Sequence, residues 1–236
     1  MSPSFLALHS PSFAYALVAF TQATLGYKVP AMVGRQAARM MELRGGRVYA
    51  SALDAGCGTG LAGPHLRPVV AGTLAGVDLS QKMLDRAELL QTDSGRQVYD
   101  LLLAKDLEQL TRDDVLEHAD ERQRGVELIT AADVLVYFGE LEALLEAFGR
   151  LAASDSVLVF SCERIDDHEA PAGWQLKASG RFAHTKAYVV HTAAEQAGFT
   201  LISYDHIVPR MEHGEEVRGH LFVFARGASA NLKQEL

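Results

Sequence analysis

A chain of 236 residues with 48% hydrophobic and 22% charged side chains and 20 glycines fits one soluble α/β enzyme domain that buries a full sheet under helices. It excludes an intrinsically disordered chain. A formal net charge of -8 without a local Lys/Arg cluster opposes phosphate backbones and disfavours nucleic acid as a partner.

In chain order, the first apolar run, "FAYALVAFTQATL", is too short and too interrupted to cross a bilayer, so no membrane span is expected. No Asp or Glu precedes Glu42, a transit-peptide-like bias. The expected location is the cytoplasm, or a mitochondrion or plastid if an upstream transit peptide was removed. Pro30 opens a helix over "PAMVGRQAARMMEL", at a position where its missing N–H costs nothing. Residues 1–47 are expected to form a helical N-terminal cover, 48–228 the main domain and 229–236 a tail.

From Val48 onward short β-like runs alternate with amphipathic segments, the pattern of βαβ units. The runs are "YASALDAG", "GTLAGVDL", "YDLLLAKD", "VELITAAD", "SVLVFSCE", "LISYDHIVP" and "GHLFVFAR". Several are apolar almost throughout, as strands covered on both faces are. Ser80 stands as an N-cap before "QKMLDRAELL", and Gly198 follows "TKAYVVHTAAEQA" as a C-cap. The charged "TRDDVLEHADERQRG" reads as a solvated helix or loop over the sheet edge. In "ELEALLEAFGRLAA", Leu141, Leu144, Leu145, Phe148 and Leu151 make one apolar stripe. Only "RMEHGEEVR" separates the last two runs, so they pair as an antiparallel hairpin. The expected fold is a doubly wound, seven-stranded mixed α/β sheet.

The stretch "ALDAGCGTGLAG" decides the ligand. Gly56, Gly58 and Gly60 give G-x-G-x-G, and Leu61 stands where a dinucleotide fingerprint requires its third glycine. Asp54, two residues before the first glycine, is wrong for a pyrophosphate. Asp78, Asp106 and Asp133 end the next strands, so four acids converge on the crevice at the strand C-termini. Such a cleft suits a nucleoside joined to a cationic amino acid chain, which describes S-adenosyl-L-methionine. Asp78 in "GVDLS", with Leu79 beside it, accepts from both ribose hydroxyls. Asp106 accepts from the adenine amine, with the Leu107 N–H on the ring, and Gly56, Cys57, Gly58 and Gly60 bring main chain to the methionine end. Cys57 and Cys162, the two cysteines, form neither a disulfide framework nor a zinc site and read as buried thiols, so no metal is expected.

"LDAGCGTG" with "GVDLS", "KDL" and "LITAADVLVYFG" resembles the class I S-adenosylmethionine-dependent methyltransferases. More narrowly, "GVDLSQKML", "YDLLLAKDL", "AADVLVYFGELEALL", "SGRFAHTKAYV" and "GFTLI" resemble the predicted methyltransferases often fused to tetratricopeptide repeats. The likeness runs from about Leu25 to Arg226. It implies a Rossmann-like methyltransferase fold, Asp54, Gly56, Gly58 and Gly60 as the methionine-side loop, Asp78 as the ribose acid and Asp106 as the adenine acid. Ala132, Asp133 and Val134 are implied as the floor beside the sulfonium. Two segments depart from the pattern: "LAASDSVLVF" replaces a Pro-Gly-Gly turn, and "ALVAF" replaces an aromatic-acid pair.

The acceptor side is written less clearly. Arg181, His184 and Tyr188 lie in "SGRFAHTKAYVVH", between the fifth strand and a helix, where a substrate-facing cover belongs. Either they form a hydrogen-bonded loop that fixes the helix start, or Arg181 holds a substrate carboxylate or phosphate and His184 takes a proton. Tyr137 is a further catalytic candidate or core packing, and Asp133 touches cofactor or substrate or caps the next segment. "ADVL" at Ala132 to Leu135 replaces the N/D-P-P-Y/F motif of nucleobase amine methylation. The expected function is methylation of a small molecule or a protein side chain. The alternative is a methyltransferase-fold subunit or assembly factor of a larger complex that binds cofactor without turnover.

Overall fold

Pro30 lies in the first turn of the first described helix, α1 (Val29–Leu43), in a computed structural model that describes residues 27–212 and 214–227. Expectations about residues 1–26, "ALVAF" among them, and about the tail at 229–236 lie outside the described residues. The chain continues through β1 (Tyr49–Ala55), α2 (Gly63–Leu66), β2 (Val70–Asp78), α3 (Gln81–Ala87), β3 (Leu101–Ala104), α4 (Arg112–Val115), α5 (Ala119–Arg124), β4 (Val126–Ala131) and α6 (Glu142–Leu151). Then follow β5 (Ala152–Arg164), β6 (Trp174–Leu176), β7 (Phe182–His184), α7 (Lys186–Ala197), β8 (Thr200–Ile207), β9 (Met211–Glu212), β10 (Glu215–Glu216) and β11 (Gly219–Ala225).

All seven expected runs are strands of one sheet in the order β3-β2-β1-β4-β5-β11-β8. The first five are parallel. β11 lies antiparallel between β5 and β8, so the C-terminal hairpin inserts the last strand inverted. Alternation along β1 sends Leu53 and Ala55 into one core and Ala52 into the other, which Tyr49 joins across a register shift between Tyr49 and Ser51. The first core takes Leu144, Leu145, Phe148 and Leu151 from α6 and Val189 from α7. The second takes Val33, Ala37 and Met40 from α1 and Leu84 from α3. Helices thus cover both faces, and each fully buried Leu or Phe contributes about 1.5–3 kcal/mol.

The structure corrects several local expectations. Ser80 sits at the N-cap position of α3, yet its side chain makes no capping bond. The last two residues of "ELEALLEAFGRLAA" already belong to β5, so α6 passes into strand without an intervening turn. The charged segment before β4 forms α4 and α5 and is not wholly solvated: Val115, Leu116 and Glu121 are buried. Glu121 accepts from the Thr73 hydroxyl at 2.8 Å, which satisfies an otherwise costly buried charge. β6 and β7, absent from the sequence expectation, pair with each other, and β7 extends the sheet from the end of β5.

Candidate functional site

Four strands end at one cavity of about 440 Å³, and its walls follow from how the chain turns there. After β1 the main chain enters left-handed backbone at Gly56 (φ 67°) and Gly58 (φ 55°), which L side chains rarely adopt. A Cβ on Gly56 would lie 2.5 Å from Val134, whereas one on Gly58 would meet nothing within 4 Å. The loop therefore presses on the floor at Gly56 and leaves a bare cradle at Gly58. The Cys57 N–H bonds to Val77 O (2.9 Å) and the Gly60 N–H to Cys57 O (2.8 Å), which folds the loop over the end of β2.

The acids are held by neutral donors. Asp54 is buried; Tyr99 donates to one oxygen at 2.6 Å and Thr130 to the other at 3.4 Å. Burial pushes its carboxyl up to about 6, against the pull of those two bonds. Asp78 accepts the Gly58 N–H at 3.0 Å and the Ser80 N–H at 2.8 Å, one on each oxygen. Each oxygen keeps a further lone pair for a ligand hydroxyl. Asp106 starts the 3-10 turn Leu107–Gln109 and accepts the Glu108 N–H at 3.0 Å.

Asp133 is the one non-glycine residue with positive φ (61°) among those described. Its N–H is fixed by Ser161 Oγ at 2.9 Å. Its carboxylate meets Arg210 at 3.4 Å, and the same guanidinium bonds Glu163 and approaches Glu212 at 3.5 Å. Burial raises its pKa, with Arg210 and Arg181 opposing. The following turn, Leu135–Tyr137, has Val134 at its N-cap position, so Asp133 is not that cap.

Asp54, Gly56, Cys57, Gly58, Asp78, Leu79, Asp106, Leu107, Ala132, Asp133, Val134 and Tyr137 all line the cavity. Gly60 does not; it lies beneath the loop, packed on Leu90 and Tyr99. Tyr137 is 66% exposed and Leu79 76% exposed at the rim. Arg181 and His184 are outside the lining. His184 is fully buried, with Nε2 3.0 Å from Gly139 O. A carbonyl only accepts, so Nε2 carries the hydrogen and Nδ1 is left without a partner. Burial lowers its pKa to about 4, so the ring is neutral at pH 7 and faces the interior. Arg181 also keeps one buried guanidinium nitrogen without a partner.

Tyr27, Pro30, Thr59, Ser80, Met83 and Phe138 complete much of the lining and were not legible as site residues. Thr59 and Ser80 neighbour motif residues and were within reach of the pattern. Tyr27, whose hydroxyl donates to Ala132 O at 3.4 Å, carries no local signal. Among the described residues no His, Cys, Asp and Glu side chains are grouped to hold a metal ion, and no helix is long and apolar enough to cross a membrane.

A parallel sheet with an inverted last strand, and a glycine loop with acids at its C-terminal edge, is the Rossmann-like fold of the class I methyltransferases, whose cofactor is S-adenosyl-L-methionine. The chain belongs to the methyltransferase domain family, whose model matches residues 24–204. Its fold is similar to magnesium protoporphyrin IX methyltransferase from Synechocystis PCC 6803 with bound SAH, at 18% identity and TM-score 0.63 over 93% of this chain and 96% of that one. It is also similar to an S-adenosylmethionine-dependent methyltransferase from Clostridium acetobutylicum (17%, 0.60, 92% and 98%). The N-methyltransferase NodS from Bradyrhizobium japonicum with SAH is a further likeness (17%, 0.55, 81% and 86%). No curated protein sequence matches the chain.

Proposed function

We propose that this protein binds S-adenosyl-L-methionine in the cavity at the strand C-termini and transfers its methyl group to a small molecule or a protein side chain. The observation that carries the reading is the set of acids there, Asp54, Asp78 and Asp106, held only by neutral donors around a bare glycine loop. That set of acceptors fits a cationic nucleoside: the acids attract the ammonium and sulfonium, and the open cradle at Gly58 leaves room for the methionine end. In this reading Asp54 lies toward the ammonium, Asp78 takes the ribose hydroxyls, Asp106 takes the adenine amine, and Ala132, Asp133 and Val134 floor the reacting end. The name of the similar magnesium protoporphyrin IX methyltransferase favours the small-molecule arm. Within the class we group the chain with the methyltransferases often fused to tetratricopeptide repeats, on "GVDLSQKML" and "SGRFAHTKAYV". Of the expected N-terminal cover, the described residues 27–47 bring Tyr27 and Pro30 to the cavity.

Bound S-adenosyl-L-methionine supplies an activated methyl group with a neutral thioether as leaving group. The protein's task is then alignment and water exclusion, and alignment alone is worth an effective molarity of about 10⁵–10⁸ M. Tyr137 and Phe138 form the wall beside the floor, and Tyr137 is the exposed polar group there to meet an acceptor. Isothermal calorimetry tests the assignment. Asp78→Ala strands the ligand hydroxyls and releases the Gly58 and Ser80 amides, so affinity for S-adenosyl-L-methionine should fall by more than about tenfold. Unchanged affinity would sink it. Profiling extracts with isotopically labelled cofactor would then name the acceptor.

A further inference from the structure

The cavity wall after β4 is a loop without regular structure beyond one 3-10 turn, yet it is tied at both ends. At its start the Asp133 N–H is fixed by Ser161. At its far end two side chains from the β7–α7 junction hold it: His184 donates to Gly139 O at 3.0 Å, and the Tyr188 hydroxyl accepts the Leu141 N–H at 2.8 Å while donating to Glu142 at 2.8 Å. The two rings stack, 6.2 Å apart and 9° from parallel. Trp174 and Phe182 pack against the same loop, since a Cβ on Gly139 would lie 3.0 Å from each.

A buried imidazole is a poor packing choice, because its Nδ1 has no partner and an unsatisfied buried polar atom destabilises the fold. An apolar residue would fill the space without that cost. The bond to Gly139 O is what the imidazole adds, and Tyr188 reinforces it two residues further along the loop. We infer that His184 and Tyr188 are positioning residues, which hold the Tyr137–Phe138 wall at the place where the methyl acceptor must align. They act through that wall and not by contact with the acceptor. This rests on the reading of the cavity as a methyl-transfer site.

The test labels the seven tyrosines with 3-fluorotyrosine and follows ¹⁹F NMR of the apoprotein, with Tyr137→Phe assigning the Tyr137 signal. Tyr188→Phe keeps the ring and removes both hydrogen bonds; it should broaden or split the Tyr137 signal and leave those of buried Tyr49 and Tyr99 in place. His184→Ala should do the same, and His184→Gln, whose amide N–H reaches toward the Nε2 position, should restore one narrow signal. A Tyr137 signal identical to wild type in Tyr188→Phe overturns the inference, and that variant decides it even if His184→Ala does not fold. With labelled S-adenosyl-L-methionine and a cell extract, Tyr188→Phe should lose methyl transfer by about tenfold or more while its cofactor affinity stays near wild type. Equal loss of both overturns the inference too. Wild-type protein that neither shifts its Tyr137 signal with SAH nor transfers methyl groups fails the methyltransferase reading instead, and the apoprotein spectra still judge the wall.

Discussion

The sheet has acids at both edges, and they are treated differently. Where the strands begin, Asp155 lies between Arg44, at 3.2 Å, and Arg47, and Asp100 between Arg67, at 2.5 Å, and Arg96, at 2.7 Å. Burial raises each of these carboxyls, but the guanidiniums, with the Leu74 amide at Asp100, bring both below the usual range. Where the strands end, Asp54, Asp78 and Asp106 accept from hydroxyls and amides alone. One edge closes its charges within the chain. The other pairs only Asp133 of its cavity acids, with Arg210, and aims the negative field of Asp54, Asp78 and Asp106 into a cavity, and it is the edge a cationic ligand requires.

The largest expected effect belongs to the closed edge. Arg67, its side chain 6% exposed, bonds Asp100 and the carbonyls of Val70 and Gly72. Arg67→Ala should cost about 3–5 kcal/mol in urea unfolding, because it breaks a largely buried ion pair, leaving Asp100 only Arg96 and the Leu74 amide, and takes the donor from two main-chain carbonyls, with cofactor affinity of the folded protein unchanged. A loss of affinity in a folded Arg67→Ala would break the division between the edges.

The open edge predicts the reverse sign. Asp54 has a folded-state pKa raised from 3.8 to about 6 by burial, so its contribution to stability is complete below 3.8 and is lost as pH rises through about 6. Asp54→Asn removes the buried charge and should stabilise the apoprotein by about 1–3 kcal/mol at neutral pH. That gain should vanish toward pH 3.8, while the variant binds S-adenosyl-L-methionine more weakly. Thermal melts across pH with calorimetry check both halves, and a variant less stable than wild type at pH 7 would refute the assignment. The smallest effect sharpens the closed edge: Arg96 is 52% exposed beside Asp100, so Arg96→Ala should cost less than about 1 kcal/mol in the same melts. Arg67 and the Leu74 amide still hold the acid in that variant.

Of the seven sheet strands, β1, β2, β4, β5 and β11 were legible as apolar runs because burial on both faces leaves that mark, whereas β3 and β8, partly exposed at the two ends of the strand order, were legible as shorter or more mixed runs between turn residues. β6 and β7 were not, since three-residue strands carry no periodicity and owe their pairing to the end of β5. The convergence of acids on one cavity was legible because Asp54, Asp78, Asp106 and Asp133 close successive strands, so sequence position becomes spatial position. Arg210 and Glu163 were not: the tie from Asp133 to Arg210 spans 77 residues, and no local pattern announces it. His184 was noticed as a polar group near the cleft, but its inward orientation depends on the Gly139 carbonyl across 45 residues.

Asp78 grips the Gly58 and Ser80 amides, one with each oxygen. The cradle is thereby shaped by bonds within the chain. The same bonds tie two properties to one side chain. On the proposed assignment of Asp78 to the ribose, selection cannot retune sugar recognition at this position without also disturbing the shape of the loop beside it.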